Sequence, residues 1–334
     1  MNTLGKITIA ALGMAALLAA APARLWQGTT YHVTKSIPLP GDGGWDYLTV
    51  DSDARRVYIS RGSLNQVQVV DLATDKLVGT IDSTRGVHGI ALAPEFNRGF
   101  TSNGGDSTVT IFDLKTLKQV DKITVTGRNP DALLYDPFTK RVFTFNHTGR
   151  NTTAIDAATG KVLGTAKTDG VMEAGATDLA GTIFANDEDS SRVFVFDAKT
   201  LAIKGVWPLA GCTAPTGMAI DRAHKRLFAG CNESKTVTVV DYTNGKTVAS
   251  IPICAGTDAA WFDAAQQLVF ASCSDGNIAV IHEDAPDKYT VIGMAKTENR
   301  ARTMALDEKT HRLYTVAAQY NAPPAPPAGA REEA

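Results

Sequence analysis

Long apolar runs are nearly absent from this chain. Only the 15 residues from Ile7 to Ala21 form one, short of the roughly 20 that a bilayer-spanning helix needs. Clusters of Lys and Arg are absent too. With 33 basic against 35 acidic residues, the charge balance argues against a general nucleic-acid or anionic-membrane surface. No unit of the chain repeats its apolar residues at 3.6-residue intervals, which disfavours helical solenoids. The catalytic signatures that can be read without a fold are missing: there is no G-x-S-x-G elbow, no H-E-x-x-H, no phosphate-cradling Gly loop ending in Lys, and no C-x-x-C-H.

What the chain does contain is one pattern, repeated. Residues 43–84 hold four short runs rich in Val, Ile, Tyr and Thr (YLTV, RRVYIS, VQVVD, KLVGTI), broken by Gly, Asp, Asn and Ser. That is the composition of an antiparallel meander. The residue closing the first run recurs as Asp51, Ala93, Asp136, Asp178, Asp221, Asp263 and Asp307, at gaps of 42 to 44. The residue closing the third recurs as Asp71, Asp113, Asp156, Asp197, Asp241 and His282. Four strands per period of about 42 predict a β-propeller, because a sheet this small must bury its faces on its neighbours. Seven blades are expected. The last begins with TMALD and HRLYTVAA, and the N-terminal YHVTKSIPLPG reads like a fourth strand, so its pairing into the last blade would close the ring.

The second strands RVYIS, GFTSN, RVFTFN, RLFAGCN and RLYTV, followed by VxVVD and a T-G-K turn, resemble the YVTN repeat. Residues 31–320 as a whole are similar to the YncE-like family of seven-bladed propellers. The resemblance implies an all-β fold of four-stranded antiparallel blades and little about activity, since propellers host enzymes and binding modules alike. The chain departs from the family in one respect. Members usually run past the Pro-rich tail into a final strand, whereas here the sequence ends at Ala334, so the expectation is either a truncated chain or a last blade of three strands.

Residues 1–23 read as a secretory signal peptide: Lys6, the apolar run, then Ala21-Pro22-Ala23 as the cleavage site. Its removal subtracts one basic residue, giving 33 − 1 = 32 against 35, a net charge of −3. The expected product is a periplasmic or secreted monomer without a membrane span. Residues 321–334 read as a Pro/Ala-rich flexible tail. Cys212 and Cys231 are 19 residues apart, as are Cys254 and Cys273, and the pairs are offset by 42, one repeat. Each first Cys precedes strand one and each second follows strand two. Antiparallel pairing brings those ends together and predicts the disulfides Cys212–Cys231 and Cys254–Cys273.

Five residues before each first-strand anchor stand Asp46, His88, Asp131, Glu173, Thr216, Asp258 and Arg302. In a propeller the first strand lines the axis, so these seven would ring one mouth of the channel. Trp45 beside Asp46, Arg128 before Asp131, and Arg300 near Arg302 extend the candidate ligand site. The plainer alternative is a solvated channel lining. Asn103, Asn146, Asn186 and Asn232 are expected to serve turns, and His282 to be a surface substitution. The ring suggests a binding or scaffold module for a small molecule or protein partner, with nucleic acid disfavoured by its acidic excess. The alternative is a metal-assisted hydrolase, lactonase or lyase. There a divalent metal would sit among His88, Asp131 and Glu173, and His88 or Glu173 would act as base.

Overall fold

A computed structural model describes residues 31–318. The expected signal peptide (1–23) and tail (321–334) lie outside the described residues. Six antiparallel sheets of four strands, each in plain chain order, occupy 48–81, 87–124, 130–167, 172–208, 215–252 and 257–296. A seventh sheet has two strands, Met304–Asp307 and Arg312–Thr315. Among the described residues no helix is long and apolar enough to cross a membrane.

The repeated Asp residues explain why each run ends where it does. Asp71 Oδ1 accepts the backbone N–H groups of Ala73 (3.0 Å) and Thr74 (2.8 Å), folding the turn that starts strand four. Asp113 does the same with Lys115 and Thr116, and Asp197 with Lys199 and Thr200. A carboxylate accepting several such bonds is favoured in its charged form, and these three are held below the ordinary Asp range, first by the backbone N–H of the Thr.

The core lies between sheets rather than within one. Phe143 and Phe145 of the third sheet pack with Phe194 and Phe196 of the fourth. Tyr58 of the first is tilted against Phe112 of the second at 5.9 Å. Replacing one such buried ring with Ala costs about 3–5 kcal/mol. Nearer the axis the first strands approach so closely that a Cβ on Gly89 would lie 2.6 Å from the Asp131 carbonyl oxygen. Hydrogen bonds cross the same seams: Thr49 Oγ1 to Ile90 O (2.7 Å), Trp261 Nε1 to Met304 O (2.8 Å), and Thr303 Oγ1 to Asp46 O (2.7 Å). The strand Met304–Asp307 therefore touches both the sixth sheet and the first.

The N-terminal segment differs from expectation. Residues 31–47 carry no strand, and Pro38 and Pro40 lack the N–H that a ladder needs. The segment is held by packing instead. Ile37 and Leu39 pack on the apolar cluster that holds Leu48, Ile59 and Ala305, and Tyr31 meets Phe270 edge-on at 4.9 Å. Both expected disulfides are present, with Cα–Cα distances of 5.4 Å for Cys212–Cys231 and 5.7 Å for Cys254–Cys273.

Candidate functional site: an acidic mouth at the axis

The starts of the first strands and the loops between strands two and three share one end of the sheets. There Asp46 Oδ2 lies 2.6 Å from His88 Nδ1, and Asp131 Oδ1 lies 3.9 Å from the same nitrogen. Arg302 forms an ion pair with Asp258 and reaches Asp46 Oδ1 (3.4 Å) and the Trp45 carbonyl (3.3 Å). Glu173 Oε2 accepts the Tyr47 hydroxyl at 3.3 Å, and its Oε1 stands 3.5 Å from His147 Nε2. His147 Nε2 is also 3.4 Å from Glu188 Oε2. Five of the seven ring residues thus meet about His88 and Arg302, and Glu173 stands in a second group with Tyr47, His147 and Glu188.

Thr216 does not join them. It is buried, and its hydroxyl donates to the Thr257 carbonyl of the next sheet at 2.7 Å. Arg128 is exposed on the loop before Asp131, and Arg300 is exposed two residues before Arg302. Arg302 is engaged by two carboxylates, so it does not stand opposite them as an anion-holding group. The indole N–H of half-buried Trp45 has no hydrogen-bond partner among the described residues. His282 pairs with Asp284 (2.8 Å) on the sixth sheet, far along the strand from this mouth. Asn103, Asn146 and Asn186 at strand ends serve side chains and neighbouring sheets rather than turns. Asn103 donates to Thr108 and Thr110, and Asn186 donates to the Thr216 and Gly217 carbonyls.

Three residues here were not singled out in the sequence: Tyr47, His147 and Glu188. The position one past the end of strand two reads Gly62, Gly104, His147, Glu188, Asn232 and Ser274. Two titratable residues in adjacent repeats was the available signal. Gly104 has its own role, because a Cβ there would come within 2.8 Å of His88 Nε2.

Burial sets the electrostatics. Asp131 and Glu173 are each only 9% exposed. Desolvation pushes the Asp131 carboxyl up to about 6, the nearby His88 charge opposing it. Glu173 is raised well above its ordinary value, by burial first and then by the charge of Asp131. Burial would lower the His88 imidazole, but the bond to Asp46 and the charge of Asp131 outweigh it and the net shift is upward. His147 is raised mainly by its bond to Glu188.

Below the mouth, a cavity of about 640 Å³ runs along the axis between the first strands. Its walls are small at the position after each ring residue, as in Gly89, Ala132, Ala174, Gly217 and Ala259; only the first sheet puts a large side chain there, Tyr47. Tyr47 lines the cavity, whereas Asp46, His88, Asp131 and Glu173 do not. Tyr47 and the ring residue Asp258 thus border both the cavity and the charged mouth.

Small sheets packed in succession with their first strands inward make a β-propeller, and comparison with solved structures agrees. The chain is similar to a chain in the crystal structure of a mitotic checkpoint complex (TM-score 0.72, 11% identity, covering 88% of this chain and 94% of that one). It is also similar to the structure of U3-55K (TM-score 0.73, 8% identity, covering 83% and 89%). At these identities the likeness speaks for the fold alone. The sequence matches no family model and no curated protein.

Proposed function

We propose that the protein is an exported, seven-bladed, closed propeller of the YVTN-repeat, YncE-like kind that binds a small cation-bearing ligand, or such a group on a protein partner, at the acidic mouth. One observation carries this. Asp131 and Glu173 are nine-tenths buried, and among the described residues neither pairs with a Lys or Arg. Buried carboxylates are costly without a counter-charge, and an ammonium or guanidinium group seated between the His88 and Glu173 groups would supply it. Export is supported by the two disulfides, which persist in oxidising compartments. Native mass spectrometry of the protein isolated from its own exporting cells tests the idea. A bound cationic small molecule, lost in an Asp131→Asn, Glu173→Gln variant at least as stable as the native protein, is the expected result. Equal retention of that mass by the variant would remove the mouth from the account.

A second reading, metal-assisted hydrolysis or lysis, has its own support. The ligand atoms of Asp46, His88 and Asp131, and those of His147, Glu173 and Glu188, lie within 4.8 Å of one another in each set. Such sets can hold a divalent ion that activates water. Metal retained through dialysis by the native protein and lost in His147→Ala would favour this reading; metal-free native protein that still holds an organic cation would favour the binder.

A further inference from the structure

The far end of the sheets carries a second cluster, at an interface where the repeat is broken. The residue after each third-strand anchor is Leu72, Leu114, Ala157, Ala198, Tyr242 and then Glu283. In the earlier sheets it packs into the preceding one: Leu114 joins Tyr58 and Val67, and Tyr242 meets Phe184 at 5.2 Å. In the sixth sheet a carboxylate takes that apolar place, and Glu283 is 0% exposed. It faces Asp221, 3% exposed, and His224 in the turn of the fifth sheet.

The local chain is shaped to deliver Glu283. Gly79, Gly164 and Gly205 stand eight residues past their anchors (79 − 71, 164 − 156 and 205 − 197), whereas Gly293 stands eleven past His282 (293 − 282). The longer hairpin lays Asp287 against Arg226, with Oδ1 2.9 Å from Nε and 2.7 Å from Nη2. Arg226 Nη1 in turn donates to the His224 carbonyl at 2.8 Å and braces the turn. Arg226 is thereby committed elsewhere, and no Lys or Arg among the described residues pairs with Asp221 or Glu283.

The donor atoms converge, and of the three residues only Asp221 also accepts backbone N–H groups, of Ala223 (2.9 Å) and His224 (3.3 Å). Glu283 Oε2 is buried with no hydrogen-bond partner among the described residues. Oε1 is 3.4 Å from the Tyr289 hydroxyl, which has a closer acceptor in the Pro286 carbonyl at 2.5 Å. His224 Nδ1 stands 3.5 Å from Glu283 Oε1 and 2.7 Å from Asp221 Oδ2, the latter without hydrogen-bond geometry. All three donors lie within 4.8 Å of one another. Ligands bonded at about 2.1 Å in a tetrahedron are about 3.4 Å apart, so the His224–Glu283 spacing fits and the His224–Asp221 spacing needs only to widen slightly. A His with two carboxylates suits zinc-class ions, whereas Ca²⁺ takes six to eight oxygens. The geometry points to a divalent transition-metal site formed by Asp221, His224 and Glu283 between the fifth and sixth sheets. Its fourth position would open to water, since His224 is a third exposed and Asp221 also lines the axial cavity.

The test is Zn²⁺ titration of EDTA-dialysed protein by calorimetry, with Co²⁺ absorption as a report of coordination. The variants are Glu283→Gln, His224→Ala and, at the mouth, the double variant His147→Ala, Glu188→Gln. The expected result is one Zn²⁺ equivalent that raises the native melting temperature. That equivalent should be weakened at least about 100-fold in Glu283→Gln and His224→Ala and kept in the mouth variant, which separates this site from the one proposed above. Should Glu283→Gln fail to fold, His224→Ala, in a partly exposed turn, carries the same test. Native protein without a Zn²⁺-induced shift, or far-end variants that bind Zn²⁺ as tightly as the native chain, would overturn the site and leave Glu283 sharing a proton with Asp221.

Discussion

The two ends of the first strands follow opposite rules. At the far end nearly every sheet places the same residue, an Asp, and gives it the same work. Asp51, Asp221 and Asp263 each cap the following turn through backbone N–H groups. Asp136, Asp263 and Asp307 also take a bond from the next sheet, from Thr177, His311 and Arg55 respectively. At the mouth the residue varies, Asp in three sheets and His, Glu, Thr or Arg in the others, and all but Thr216 meet other side chains. Repetition marks groups that hold the sheets in place; variation at a fixed register marks groups freed from that duty. In the far-end cluster Glu283 belongs to the second kind, although its neighbour Asp221 belongs to the first.

That contrast can be broken by substitution, and the largest effect is expected at the repeated end. Asp136 is fully buried and accepts the Thr139 N–H at 3.0 Å, the Thr139 hydroxyl at 2.5 Å and the Thr177 hydroxyl at 2.8 Å. Asp136→Ala strands these donors and should cost about 3–4 kcal/mol in denaturant unfolding, with mouth ligand affinity unchanged. Replacing Cys212 and Cys231 by Ser should cost about 3 kcal/mol through loop entropy in the unfolded chain, seen as a lower urea midpoint that reductant no longer shifts as far.

At the mouth the sign reverses. Because burial raises the Asp131 carboxyl from 3.8 to about 6, the folded state binds more protons than the unfolded state between those values. Stability should then fall as pH rises from about 4 to 6, by on the order of 2 kcal/mol, and be fully present only below that window. Asp131→Asn should flatten this slope and stabilise the protein at pH 7 while removing the bound cation; a slope unchanged in the variant would place the titration elsewhere. The smallest effect is expected at exposed Arg128. Arg128→Ala should leave the melting temperature within about 1 °C and strengthen cation binding about twofold by removing a like charge.

Much of this was legible because the repeat magnifies it. Seven anchors at one spacing outweigh any single strand's propensity, and the cysteine offset of one repeat singled out one pairing from three. Residues 31–47 matched a fourth strand by their apolar pattern, yet they carry no ladder and are held by the packing of Ile37 and Leu39. Thr216 was placed in the ring by register, yet a short hydroxyl beside a close backbone bonds to that backbone. Tyr47, His147 and Glu188 were missed because each lies outside the register that defined the ring and reaches it through side-chain length.

The sequence by itself determined the order of the four-stranded sheets, where their turns fall and which cysteines pair, since these depend on local hydrogen bonding and on a pattern that recurs. Only the tertiary structure decided which polar groups meet, because contacts such as Tyr47 with Glu173 and His224 with Glu283 join separate sheets across gaps of a few ångströms. Burial was decided there too, and it is burial that turns these carboxylates from solvated lining into groups short of a counter-charge.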